Sequence, residues 1–167
     1  ANQIKEGNAI YLDTGSTIKG IAEAILDRQN IAVLTHSLPV MNILATARRL
    51  QLISIPGIYN IDTKGFFGDM ARRMIQNFQI DIAFLGISAI DTENGIMSPD
   101  FFDQSIKLAL LERAQRKIIA MDHTKIGHRS FTKVCSLKDI DMIVTDKQAD
   151  PDFVTRVQRM GIEIIQV

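Results

Sequence analysis

The 167-residue chain has little cysteine, no tryptophan and no excess of either charge. Its single cysteine, Cys135, excludes an internal disulfide, and no Cys/His spacing resembles a metal site, so no bound metal is expected. The 19 Lys and Arg residues equal the 19 Asp and Glu residues, so the chain lacks the basic excess that binds nucleic-acid phosphates. No apolar run reaches the roughly 18 residues that cross a bilayer. These absences predict a cytoplasmic protein that contacts neither DNA nor a membrane through these residues.

The residues that are present predict one domain over residues 1–167. A hydrophobic content of 46% is enough for a sizeable core. No Pro/Ser-rich linker, internal repeat or low-complexity tract divides the chain. Ala1 stands where an initiator methionine is expected, so we interpret the sequence as a fragment with something upstream.

Short apolar runs alternate with segments of helical period. Seven runs rich in Ile and Val predict strands at 9–12, 31–34, 52–55, 82–85, 117–121, 142–144 and 162–165. Helical spacing follows several of them, as in the stripe of Phe102, Ile106, Ala109 and Leu110. Continuous apolar strands that alternate with helices predict an α/β fold with a mostly parallel, Rossmann-like central sheet and helices on both faces. Ligands in such sheets bind outside the carboxyl ends of the strands.

The turn Asp13-Thr14-Gly15-Ser16-Thr17 joins a predicted strand to a helical pattern. The first N–H groups of a helix lack intrahelical partners and lie at the positive end of the dipole, so this turn predicts a phosphate site. Its hydroxyl groups add donors, and its glycine lets a ligand approach the backbone. The alternative is a plain helix cap, in which Ser16 or Thr14 only begins the helix.

Five ordered motifs resemble the C-terminal effector-sensing domain of DeoR-type bacterial transcriptional regulators. The motifs are 10–17 (IYLDTGST), 33–39 (VLTHSLP), 84–91 (FLGISAID), 94–96 (NGI) and 122–127 (DHTKIG). The resemblance covers essentially the whole chain and implies a domain that binds a phosphorylated sugar or polyol. It also implies an N-terminal helix-turn-helix upstream of Ala1, through which the intact protein binds DNA. The sensing domain is similar in fold to ribose-5-phosphate isomerase and glucosamine-6-phosphate deaminase.

The resemblance assigns ligand contacts residue by residue. The expected phosphate contacts are Thr14, Gly15, Ser16, Thr17 and Lys125. The expected contacts to ligand hydroxyls are Asp13, Ser37, Gly57, Ser88, Asp91 and Asp103. Ser37 has capping of the next helix as an equal alternative, and Lys125 has an ordinary surface position as its alternative.

The third loop departs from the family, because only Gly57 remains of a glycine pair that a basic residue commonly follows. Tyr59 in this loop closes the pocket or simply packs. Of the adjacent phenylalanines, Phe102 fits the helix stripe and is expected in the core, in preference to Phe101. His36 and His123 flank two motifs without a catalytic partner in sequence, so they are interpreted as loop residues.

Comparison with the isomerase favours binding without turnover. Ser88 stands where the enzyme has an aspartate, and residues 92–97 lack its lysine. No catalytic residue and no cofactor are therefore expected. The alternative is an active sugar-phosphate isomerase or deaminase that uses Asp91, Asp103 and Lys125. Because helix-turn-helix regulators bind paired half-sites, a homo-oligomer is expected, with interface or lid candidates Phe66, Phe67 and Met70.

Overall fold

A fully parallel sheet of seven strands forms the centre of the computed structural model, which describes residues 2–167. Its strands are β1 (Ala9–Leu12), β2 (Ala32–Thr35), β3 (Gln51–Ser54), β6 (Ile80–Leu85), β9 (Ala114–Ala120), β11 (Met142–Thr145) and β12 (Glu163–Gln166). Their order across the sheet is β12-β11-β9-β6-β1-β2-β3, and every neighbouring pair is parallel. Each of the seven predicted runs overlaps one of them, so the predicted parallel sheet is confirmed.

Five α-helices in residues 2–167 cover both faces of this sheet. They are α1 (Ser16–Glu23), α2 (Leu38–Leu44), α3 (Asp69–Gln76), α4 (Phe101–Arg113) and α5 (Pro151–Arg159). Helices α1 and α2 contribute Ile18 and Val40 to one apolar cluster, while α3, α4 and α5 contribute residues such as Ile106 to the other. Along β1, Ile10 and Leu12 enter one cluster and Tyr11 enters the other, as the two-residue period of a strand requires. Burial on both faces explains why these strands are continuously apolar.

Two small antiparallel sheets occupy segments that the sequence pattern treats as loops. A hairpin pairs β4 (Ile58–Asn60) with β5 (Gly65–Phe67). A three-stranded sheet contains β7 (Ala89–Asp91), β8 (Gly95–Ser98) and β10 (Thr132–Cys135). Both follow strands of the central sheet near their carboxyl ends, where they form walls around the expected ligand position.

The expected core position of Phe102 is wrong, because its side chain is 61% exposed. Helix α4 buries a stripe that begins at Asp103 and includes Ile106, Lys107 and Leu110. Phe102 lies in the first turn of α4 and faces the β4–β5 hairpin in a shallow pocket, so the sheet does not cover it. Phe101 is exposed as well.

None of the helices in residues 2–167 combines the length and apolar character needed to span a bilayer.

Candidate functional site

The loop between β1 and α1 leaves the N-terminus of α1 free of side-chain caps. The N-cap residue is Gly15, whose φ of 128° favours glycine, and no side chain makes a capping hydrogen bond. The alternative interpretation required Ser16 or Thr14 to cap the helix, and neither does. The first N–H groups of α1 have no intrahelical partners and lie at the positive end of its dipole, which is an arrangement that favours anions.

Gly86 holds this loop against the end of β6. A Cβ atom at this position would lie 2.1 Å from the backbone oxygen of Thr14, so only glycine permits the approach. The Gly86 N–H donates to Asp13 Oδ2 at 3.1 Å, and the Asp13 N–H donates to the Phe84 carbonyl at 3.1 Å. These bonds fix the start of α1 relative to the neighbouring strand.

A cavity of about 470 Å³ opens beside this loop at the carboxyl ends of β1, β2 and β6. Six of the predicted contacts line it: Thr14, Gly15, Ser16, Ser37, Ser88 and Asp103. The other lining residues are Lys19, Pro39, Asp62, Thr63, Lys64, Gly86, Ile87, Pro99 and Lys107. The cavity therefore combines a helix N-terminus, hydroxyl groups, carboxylates and three lysines.

Lys107 joins two buried carboxylates at this cavity. Its Nζ lies 3.1 Å from Asp13 Oδ2 and 2.6 Å from Asp103 Oδ1. Asp13 also accepts from the Thr14 N–H at 2.7 Å, and Asp103 accepts from the Ser98 hydroxyl at 2.5 Å. The four side chains of Asp13, Ser98, Asp103 and Lys107 form what we call the buried cluster.

The opposite charges of the buried cluster stabilise one another's ionised forms. Burial alone lowers the pKa of Lys107, but attraction to Asp13 and Asp103 outweighs it and raises that pKa above its usual value. Burial alone raises the pKa of Asp103, yet the Lys107 ammonium and the Ser98 hydroxyl hold it below its usual range. Lys107 is thus an ammonium and Asp103 a carboxylate at neutral pH.

His36 extends this arrangement into the core. It is fully buried, and its Nδ1 lies 2.8 Å from the Tyr11 hydroxyl. Its Nε2 is 3.6 Å from Asp13 Oδ1 and has no hydrogen-bond partner among residues 2–167. Burial lowers the pKa of His36 more than the nearby Asp13 raises it, so the ring is neutral at pH 7. The negative Asp13 favours the tautomer with the proton on Nε2, in which the Tyr11 hydroxyl donates to Nδ1.

Lys125 and Thr17 line a second cavity of about 180 Å³ on the other side of the phosphate loop. Gly15, Ser16, Gly86 and Ile87 line both cavities, so the start of α1 separates them. Lys125 ends a short 3₁₀ turn, His123–Lys125, whose N-terminus the Asp122 side chain caps. Ser37 lines the larger cavity and also accepts from the Val40 N–H at the start of α2, so its two proposed roles coexist geometrically.

Three predicted hydroxyl contacts do not line either cavity. Asp13 has no exposed surface and contacts the larger cavity only indirectly, through its bonds with Lys107, Thr14 and Gly86. Asp91 accepts the N–H groups of Glu93 and Asn94 in the turn between β7 and β8. A Cβ atom on Gly57 would lie 2.4 Å from the Phe67 carbonyl oxygen, so this glycine serves the packing of the hairpin.

The aromatic candidates divide between core and surface. Phe67 is buried, with its ring edge-on to that of His36 at 4.9 Å between centroids. Tyr59 lies outside the larger cavity and packs against Phe66 at 5.4 Å between centroids. Met70 is exposed.

His123, which the sequence places in a loop, pairs with Asp146 at 3.0 Å between Nδ1 and Oδ1.

Three lysines of the larger cavity, Lys19, Lys64 and Lys107, were missed by sequence reasoning. Lys107 had a detectable signal, because it lies four residues after Asp103 and next to Ile106 on an otherwise apolar stripe. Lys64 reaches the cavity because it lies in the turn of the β4–β5 hairpin, and the hydrophobic pattern of the sequence did not predict that hairpin. In the part of the chain from residue 2 onward, no three His, Cys, Asp or Glu side chains are grouped to hold a metal ion.

The fold and the cavity define a doubly wound α/β domain with an uncapped helix N-terminus at the carboxyl edge of its sheet. A ribose 5-phosphate isomerase from Methanocaldococcus jannaschii has a similar fold, with a TM-score of 0.52 and 16% identity over 75% of this chain and 49% of that one. The sequence model of the DeoR C terminal sensor domain matches residues 1–147. The chain belongs to this family.

Two curated relatives carry the names of repressors. The glycerol-3-phosphate regulon repressor of Escherichia coli K12 is 28% identical over 146 residues, which cover 87% of this chain and 58% of that protein. The transcriptional repressor AccR of Agrobacterium fabrum is 29% identical over 149 residues, covering 87% of this chain and 57% of that protein. The chain thus spans less than two thirds of the length of these relatives.

Proposed function

We propose that this domain binds a phosphorylated sugar or polyol as the effector of a transcriptional regulator. The observation that carries the proposal is the uncapped N-terminus of α1, which opens into a cavity lined with hydroxyl and charged groups. The phosphate lies at the start of α1, where Thr14, Gly15, Ser16 and Thr17 supply donors. Lys125 approaches it from the second cavity. The name of the glycerol-3-phosphate regulon repressor supports this class of ligand.

In the intact protein, we propose that the bound effector controls DNA binding by an N-terminal helix-turn-helix. The repressor names of both relatives and their greater length support this role. Self-association of the domain follows from paired half-sites, and light scattering at tens of micromolar tests it. A homo-oligomer is the expected result, and a clean monomer would contradict it.

Thermal unfolding with matched ligands tests the binding proposal. A sugar or polyol phosphate at 100 times its dissociation constant stabilises the domain by about 2.7 kcal/mol, while its unphosphorylated parent leaves the transition unchanged. Inorganic phosphate serves as the minimal probe of the loop. Absence of any shift across a broad panel of phosphorylated sugars and polyols would contradict the proposal.

Substitution of the loop localises the phosphate. Ser16→Ala removes one charge-assisted hydrogen bond, worth about 1.5–3 kcal/mol, and so weakens effector binding at least tenfold. Ser136→Ala is the matched control, because Ser136 caps a turn and lines neither cavity. An unchanged affinity in Ser16→Ala would remove the loop from the site.

We further propose that the domain binds its ligand without turning it over. The enzyme alternative needs Asp91, Asp103 and Lys125 to converge, but only Asp103 lines the larger cavity. Lys125 lines the second cavity, and Asp91 is engaged in a turn. Proton NMR in heavy water with a bound sugar phosphate checks this, and no exchange beside the carbonyl is expected. Exchange that Asp91→Asn abolishes would restore the enzyme.

A further inference from the structure

The ammonium of Lys107 has one hydrogen-bond donor to spare at the larger cavity. A lysine carries three N–H donors, of which Asp13 and Asp103 take two at 3.1 and 2.6 Å. No other acceptor in residues 2–167 lies within hydrogen-bond distance of its Nζ. Lys107 lines the cavity, although its side chain is only 3% exposed. The third donor is therefore available to a ligand oxygen.

Asp103 has the complementary spare capacity. Its Oδ1 accepts from Lys107 and its Oδ2 accepts from Ser98, whereas a carboxylate offers about four acceptor sites. Asp103 also lines the cavity. One permanent donor and one permanent acceptor thus lie within 2.6 Å of each other on the same wall.

Stability alone does not account for this arrangement. Two ions removed from water each lose several kcal/mol of hydration, and apolar side chains of similar volume often replace such pairs without loss of stability. The neighbours of Lys107 along α4, Ile106 and Leu110, belong to the apolar core. An apolar residue at this position would fit the helix stripe, so a role at the cavity explains the charge better.

We propose that Asp103 and Lys107 determine specificity by binding adjacent hydroxyl groups of the effector, with Lys107 donating to one oxygen and Asp103 accepting from the other. This inference rests on the proposed function, in which the start of α1 holds the phosphate. The ligand is then a phosphate monoester that carries vicinal hydroxyls. A phosphate ester without hydroxyls leaves the third donor of Lys107 and the spare acceptor sites of Asp103 unused, so the site binds it more weakly.

Pairs of esters that differ only in their hydroxyls test the proposal by calorimetry. Glycerol 3-phosphate is compared with propyl phosphate, ribitol 5-phosphate with pentyl phosphate, and glucitol 6-phosphate with hexyl phosphate. The wild-type domain is expected to prefer the hydroxylated member at least tenfold in the pair that it binds most tightly. Equal affinity within every pair overturns the proposal while the phosphate site stands.

The double variant Asp103→Asn/Lys107→Gln tests the assignment to these residues. It removes one charge of each sign, so the net charge of the buried cluster is unchanged. We expect the preference for the hydroxylated ester to fall at least tenfold, while the affinity for its alkyl counterpart stays within about threefold. A preference that persists in the folded variant overturns the proposal.

Two further proteins complete the experiment. Asp69→Asn/Arg73→Gln changes an acid–base pair of the same spacing on the surface of α3 and is expected to leave every affinity unchanged. If the double variant fails to fold, Asp103→Asn alone is used instead, because it retains the Lys107–Asp13 pair. The same tenfold fall in preference for the hydroxylated ester is then expected. Absence of binding by inorganic phosphate and by all six esters would instead contradict the proposed function itself.

Discussion

Helices α3 and α4 pack against each other, and each carries an acidic residue followed four positions later by a basic one. In α3, Asp69 and Arg73 lie 2.6 Å apart, with side chains 58% and 73% exposed. In α4, Asp103 and Lys107 lie at the same 2.6 Å, with side chains 5% and 3% exposed. Spacing and distance are equal, so the two pairs differ in their surroundings.

This difference separates an ordinary surface pair from a buried pair that lines the cavity. An exposed pair keeps most of its hydration and adds little to stability, because water and salt screen it. A buried pair has lost that hydration, and each member depends on the others for compensation. The wall of the cavity is built from the second kind, which makes its charges fixed features for a ligand to meet.

Removal of one cation from each helix is expected to separate the pairs most clearly. Lys107→Met leaves Asp13 and Asp103 buried without their counterion, and we expect the free energy of unfolding to fall by about 3–5 kcal/mol. Arg73→Met is expected to change it little, since Asp69 remains in water. Urea unfolding measures both variants. Equal losses of unfolding free energy in the two variants would contradict the distinction between the buried and the exposed pair.

The pH dependence of stability sharpens the contrast, because His36 beside the buried cluster has no counterpart at α3. Its pKa is lowered chiefly by burial, while Asp13 and Asp103 oppose the shift and Lys107 adds to it. The unfolded chain therefore binds a proton first as the pH falls below about 6.5. Stability is full above this pH and declines below it toward the folded pKa, by up to about 1.4 kcal/mol per pH unit.

Unfolding of wild type and His36→Gln between pH 8 and 5 measures this effect. The variant retains the other ionisable groups, so the difference between the two pH profiles isolates the titration of His36. We expect the wild-type profile to fall more steeply below pH 6.5. Parallel profiles would show that His36 titrates as freely in the folded protein as in the unfolded chain.

The smallest expected effect is that of salt on the coupling energy within each acid–base pair. A double-mutant cycle on Asp69 and Arg73 is expected to give a coupling that disappears in 1 M salt, where the screening length is about 3 Å. The same cycle on Asp103 and Lys107 is expected to give a coupling that salt alters much less, because their side chains are only 5% and 3% exposed. A salt-sensitive coupling in α4 would indicate that solvent reaches the pair.

The sequence was sufficient to predict the central sheet, because strands buried on both faces are apolar throughout. All seven runs in residues 9–165 correspond to observed strands, and the edge at which they place Thr14, Ser37 and Ser88 is the edge of the cavity. These features depend on local patterns and on the chain direction of parallel strands, both of which a sequence records directly.

The walls of the cavity could not be predicted in the same way. The strands of the two small sheets are only three or four residues long, and β8 also pairs with the distant β10. Their periodicity is too short to distinguish from a loop. Phe102 matched the period of α4, but that period does not state where the sheet ceases to cover the helix. The role of Lys107 depends on Asp13, which lies on another element.

The position of β1 in the interior of the sheet has a consequence for the order of folding. It is the first strand in residues 2–167, yet its partners are β2 and β6, and β6 ends at Leu85. During synthesis one edge of this apolar strand has no partner until about 70 further residues have emerged, which favours contact with chaperones or other chains. Such distant pairing slows folding, so refolding is expected to be slower than in helical bundles of equal length.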